Sequence, residues 1–179
     1  MVDFKNILTD TELNDLNMLP FKIYDLIKEQ NKTITTAESI TGGDIATSFT
    51  KIPGASSVFL GGIIAYSNQL KVQECLVAPK TIKNYGEVSS QVASEMAKGI
   101  KRKFQSNISL STTGYAGPKV SNEQVGLVYT SVIVDEEEIT QKHQFEGERN
   151  DIIKQTTFSV LEILKYMLSN KNKGGNNGW

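Results

Sequence analysis

The sequence predicts a layered α/β domain built on a mixed sheet, and three observations carry that expectation. Short β-branched or apolar runs, "TITTA" at 33–37, "VFLGGIIAYS" at 58–67 and "NISLSTTG" at 107–114, alternate with segments of helical period. Late in the chain, "VGLVYTSVIV" (125–134) and "EITQKHQFEG" (138–147) flank the acidic turn "DEEE" as an antiparallel pair, which makes the sheet mixed. Finally, 179 residues that are 39% hydrophobic and 22% charged suffice for one sizeable core.

Each element has a local reason. In residues 11–30 the apolar positions Leu13, Leu16, Leu19, Ile23, Leu26 and Ile27 follow the helical period. Pro20 fits the first turn of a helix, so a short helix is expected up to 19 and a second over 20–30. After "TITTA", Thr41 is the expected cap of the helix "GGDIATSFTK", with Asp44 three residues on in the manner of a capping box. "IPGASS" is turn chemistry. Gly61-Gly62 inside an apolar strand marks a close approach of backbone. Ser67 or Asn68 caps a short helix that runs through Lys71 to Leu76, and Pro79 opens another. In "GEVSSQVASEMAKGIKRKF", Ser89 is a cap and Val92, Met96 and Ile100 form one stripe. A helix over about 148–169 closes the domain, and the polar tail 170–179 is expected to lack structure. The division expected is an N-terminal extension, 1–19, then a domain, 20–169, then the tail.

Composition narrows the function. Nineteen Lys and Arg against twenty Asp and Glu give a net charge of −1, so no bulk field draws in nucleic acid or an anionic membrane. The apolar runs are too short to span a bilayer, and "MVDFKNILTD" is not a secretory signal. A lone Cys75 cannot form an intrachain disulfide and suits a reducing compartment. A cytoplasmic protein without nucleic-acid or membrane partners is expected; self-association stays open.

Three polar clusters fall at strand ends: Glu38-Ser39-Thr41-Gly42-Gly43, then Tyr66-Ser67-Asn68 with Lys71, then Thr113-Gly114 with Ala116-Gly117-Pro118. The carboxyl ends of strands in α/β sheets collect ligands. Ser39 is the candidate nucleophile, ahead of a helix start whose free N–H groups suit an oxyanion or a phosphate. A serine needs a base. His143, the only histidine, reads as a surface or satisfied core residue in the hairpin. That leaves Lys71, because burial in low dielectric favours the neutral amine. The plain alternative is that Ser39, Thr41, Ser67 and Asn68 are caps, Lys71 a solvated lysine and Arg149 a surface ion-pair partner. No phosphate-loop, GxGxxG or metal-ligand motif is present.

The segments "TTAESITGG", "FLGGIIAYSNQLK", "GEVSSQVASEMAKG", "TTGYAGP", "VGLVY" and "FEGERNDIIKQ" together resemble the CinA C-terminal domain family, the nicotinamide-nucleotide amidases, in family order over about residues 22–165. The resemblance implies a three-layer α/β/α sandwich with a mixed, mostly parallel sheet. It implies hydrolysis of the carboxamide of nicotinamide mononucleotide to the acid and ammonia, with no metal and no cofactor. Ser39, Tyr66 and Lys71 match the family's catalytic serine, tyrosine and lysine, and Arg149 the arginine of its glycine-acid-arginine motif. Thr41, Gly42, Gly43, Asn68, Thr113 and Gly114 join Arg149 as expected substrate-binding positions. Three positions depart from the family pattern. Ile40 stands where cysteine is usual, Glu148 replaces aspartate, and the loop "KVSNEQ" after Pro118 is short and lacks the usual glycine pair. The chain matches the stand-alone form of the family. A nucleotide-binding, competence-linked accessory protein of the same fold, with weak or lost turnover, is the alternative.

Overall fold

The computed structural model describes residues 10–118 and 124–171. The expected loop "KVSNEQ", most of the tail and the first nine residues therefore lie largely or wholly outside the described residues. Strands β1 (Ile34–Glu38), β2 (Phe59–Ile64), β3 (Ile108–Gly114), β4 (Leu127–Val134) and β5 (Glu137–Gln144) form one sheet in the order β2-β1-β3-β4-β5. β1 pairs in parallel with both β2 and β3, whereas β4 is antiparallel to both β3 and β5. Four of the strands thus run the same way and β4 alone opposes them. Helices α1 (Asp10–Glu29), α2 (Asp44–Thr50) and α6 (Arg149–Lys171) cover one face. Helices α3 (Asn68–Gln73), α4 (Pro79–Tyr85) and α5 (Ser90–Phe104) lie on the other. This is the expected three-layer sandwich with a mixed sheet.

Strand period decides which residues enter which layer. Ile34, Ile108, Leu110, Val132 and Val134 join Ile23, Ile27, Phe49, Leu161 and Leu164 in the main core. Ala37, on the opposite face of β1, packs instead against Val92, Met96 and Ile100 of α5. All five β1 residues are buried, because a central strand is covered on both faces.

The break expected at Pro20 does not occur. α1 runs through it, with Leu19, Ile23 and Ile27 buried as one stripe. The missing N–H forfeits one helical hydrogen bond, and packing of the continuous stripe on the core outweighs it. The Gly61-Gly62 expectation has a concrete cause. A Cβ on Gly62 would lie 2.2 Å from Thr36 Oγ1 on the neighbouring strand. β2 can seat against β1 only with glycine there.

His143 is a core residue, 6% exposed, with Nε2 2.9 Å from Thr130 Oγ1 and its ring stacked on Phe145. Burial pulls its pKa down from 6.5 to about 4. Between those values the unfolded chain binds a proton that the folded chain refuses, so stability rises with pH. As pH falls from 6.5 to about 4, unfolding free energy should drop by up to about 3 kcal/mol from this group alone. Urea titrations across that range, on wild type and His143→Gln, check it. A wild-type slope no steeper than that of the variant would refute this assignment.

Candidate active site

The candidate site is built at the carboxyl ends of β1 and β3. Ser39 follows β1 directly, and its N–H donates to Thr112 O at 3.0 Å, continuing the β1–β3 pairing by one residue. The chain then reverses through Gly42 (φ 61°) and Gly43 (φ 104°), two successive left-handed positions that glycine adopts without strain. The reversal starts α2 beside the end of β1, and this brings Glu38 into play. Its buried carboxylate accepts from the N–H groups of Gly43, Ile45 and Ala46 at 3.0, 3.1 and 2.8 Å, and from Thr41 Oγ1 at 2.7 Å.

Two expectations change here. Thr41 is not the cap of α2: the N-cap is Gly43, Thr41 Oγ1 serves Glu38 and Thr112, and Asp44 accepts from Thr157. Nor are the first N–H groups of α2 free for an oxyanion or a phosphate. A carboxylate already satisfies them, the arrangement a helix N-terminus favours electrostatically. The sequence carries a signal for it, an acid next to a strand end and within reach of a glycine pair, although Thr41 is the hydroxyl nearer to the helix.

Lys71 comes from α3, whose N-cap is Ser67, with Oγ accepting from Leu70 N at 3.2 Å. α5 meets the segment that follows this short helix at two points. Gly99 lets the Cys75 carbonyl approach so closely that a Cβ would sit 1.8 Å from it, and Glu95 accepts from Ala78 N and Thr81 Oγ1 at the start of α4. Lys71 is 3% exposed, and its Nζ lies 3.1 Å from Ser39 Oγ. Burial lowers the pKa of the amine, against the opposing charge of Glu87. Cys75 itself is buried with its thiol pushed up to about 11, so it stays protonated and is a poor nucleophile.

A cavity of about 270 Å³ opens beside this pair. Ser39, Lys71, Tyr66, Glu87, the segment 113–118 and Arg149 line it. Arg149 is the first residue of α6, where a cation opposes the helix dipole, so helix stability does not account for it. Its guanidinium instead donates to Gly117 O and Tyr66 Oη, and it has no ion pair among the described residues. Because Tyr66 accepts that bond, its own phenolic proton is left to donate into the cavity. The structure thus brings Ser39, Lys71, Tyr66, Thr113, Gly114 and Arg149 to one cavity. Thr41, Gly42, Gly43 and Asn68 do not line it; Thr41 is buried behind Glu38 and Asn68 is exposed on α3. His143 is not part of it either.

The family model of the CinA C-terminal domain matches residues 17–168. The chain belongs to the CinA C-terminal domain family. Among its CinA relatives, the CinA-like protein of Dictyoglomus turgidum is 40% identical over 150 residues, 83% of this chain but 36% of that protein. Protein MG115 of Mycoplasma genitalium is 39% identical over 153 residues, 82% of this chain and 95% of that protein. The chain therefore spans about a third of the first of these CinA relatives and nearly all of the second. The crystal structure of the competence/damage inducible protein CihA from Agrobacterium tumefaciens superposes with a TM-score of 0.82 at 28% identity, covering 92% of this chain and 99% of that one. The same CinA fold thus holds the cavity, with β1 and β3 at its floor.

Proposed function

We propose that this CinA domain is an amidohydrolase that converts nicotinamide mononucleotide to nicotinic acid mononucleotide and ammonia through a Ser39–Lys71 pair. The observation that carries the reading is the 3.1 Å contact between Lys71 Nζ and Ser39 Oγ, with both side chains buried at the end of a cavity. A buried amine with a lowered pKa is a competent base at moderate pH. Neutral Lys71 takes the Ser39 proton as Oγ attacks the carboxamide carbon, and the Tyr66 hydroxyl donates to the carbonyl oxygen. The lysine ammonium then gives its proton to the departing amine, releasing ammonia and leaving an ester on Ser39. Water attacks that ester, with Lys71 again the base, to yield the acid and free serine. Arg149 answers the phosphate, since guanidinium donors not used by Tyr66 and Gly117 remain available. A cavity of about 270 Å³ suits a mononucleotide-sized ligand better than a dinucleotide.

The test is ammonia release from nicotinamide mononucleotide by purified protein with no added metal and with a chelator present. The expected result is turnover at an unchanged rate in chelator. Activity lost in chelator and restored by zinc would overturn the Ser–Lys mechanism. One observation favours a second reading, an accessory protein that binds nucleotide without efficient turnover: the short "KVSNEQ" loop follows directly on the cavity-lining segment 113–118. Tight nucleotide binding with no ammonia release from folded protein selects it.

A further inference from the structure

Glu87 supplies the only carboxylate lining the cavity among the described residues. Its main chain is fixed on both sides. Thr113 Oγ1 donates to the Glu87 carbonyl at 2.8 Å, and Ser89 Oγ donates to the Gly86 carbonyl while capping α5. The half-buried side chain therefore leaves from an anchored stub. No donor or cation among the described residues bonds the carboxylate, although Lys71 and Arg149 line the same space. For a lysine base this neighbour is a handicap, because a nearby negative charge favours the protonated, inactive amine. An anchored carboxylate left without a partner beside the reacting groups fits a ligand that brings its own positive charge.

We propose that Glu87 determines specificity in this cavity, its carboxylate pairing with the positive charge of an N-substituted pyridinium ring and so selecting a cationic nicotinamide over a neutral amide. The inference rests on the amide-nucleotide reading. Such a substrate is a zwitterion, with a cationic ring and an anionic phosphate, and Glu87 and Arg149 match the two charges in sign. The pairing also bears on the base. The charged or polar groups facing Lys71 are Glu87 from the loop before α5, Ser39 from the β1–α2 turn and Cys75 beyond its own helix. Of these, Glu87 is the carboxylate, and its charge favours the proton on Lys71. A ring cation that engages Glu87 releases that hold, so the correct substrate frees its own base.

The test compares nicotinamide mononucleotide with its 1,4-dihydro form, in which the ring is neutral and the phosphate is kept; the two are called the cationic-ring and neutral-ring ligands. Calorimetric Kd values are measured on Ser39→Ala protein with and without Glu87→Gln, and kcat/KM for ammonia release on the Ser39-containing pair. Ser39→Ala alone should prefer the cationic-ring ligand by about tenfold, the effect of one half-desolvated charge pair. Glu87→Gln should weaken the cationic-ring ligand by about that factor, leave the neutral-ring one within about twofold, and melt as its parent does. Glu87→Asp, which keeps the charge, should retain the preference. Equal weakening of both ligands, or of neither, while ammonia release stays intact overturns the role of Glu87 alone. Failure of both ligands to bind the parent overturns this inference together with the substrate reading.

Discussion

Lys71→Arg is expected to lower ammonia release by about 10²- to 10⁴-fold, the contribution of a positioned general base. Arginine keeps a positive charge on α3 but does not give up its proton at any working pH, so it cannot accept the one Ser39 must lose. Ser39→Ala should be comparably inactive and the double variant hardly worse, because a nucleophile and its base act as one unit. In wild type the rate should rise with pH through an ionisation below the free-lysine value of about 10.4, since burial lowers the pKa of Lys71. Thermal melting and nucleotide binding of Lys71→Arg separate lost chemistry from lost structure. Lys71→Met adds a control of opposite sign. It removes a buried amine that the fold holds against its solvation, so it should be inactive yet no less stable than wild type. Lys71→Arg retaining most of the wild-type rate would sink the pair.

Glu38→Ala should cost about 3–5 kcal/mol of folding stability, a large share of a small domain's margin. Both carboxylate oxygens are engaged: Oε2 accepts from Thr41 Oγ1 and from Gly43 and Ile45 N–H, and Oε1 accepts from Ala46 N–H. Alanine leaves those donors in a space too enclosed for bulk water, as the 1% exposure of Glu38 indicates. Glu38→Gln keeps one oxygen for the three-donor side but sets an amide N–H₂ against Ala46 N–H, so a loss of about 1–2 kcal/mol is expected. Chemical denaturation of the three proteins gives the series directly. Because Ser39 is the next residue, the alanine variant should also lose activity out of proportion to its unfolded fraction. A cost below about 1 kcal/mol for Glu38→Ala would show that water replaces the carboxylate and that the cap is dispensable.

Some of this was legible in the chain because its causes are local. Ser67 and Ser89 cap α3 and α5 by accepting from the N–H three residues on, and Pro79 opens α4, as a reading of neighbouring residues predicts. The stripe Val92, Met96 and Ile100 faces the sheet because the helical period puts it there. Gly62 inside an apolar strand signals a close approach by itself, and the fold supplies Thr36 as its partner. The strand–helix alternation and the late hairpin implied the layered mixed sheet for the same reason, since patterning selects the face each element buries.

What the tertiary structure alone decided is which polar group answers which. Lys71 could be solvated or buried on any reading of "NQLK"; the fold buries it against Ser39, 32 positions earlier. Thr41 and Glu38 were both in reach of α2, and the successive left-handed turns at Gly42 and Gly43 gave the cap to the carboxylate. Arg149 meets Tyr66 across 83 residues, and Thr113 on β3 ties down the Glu87 carbonyl beside the cavity. Caps and stripes depend on neighbours three or four residues apart, so the sequence by itself determined them. Side-chain partners drawn from different strands depend on register and crossover, which exist only once the sheet has formed.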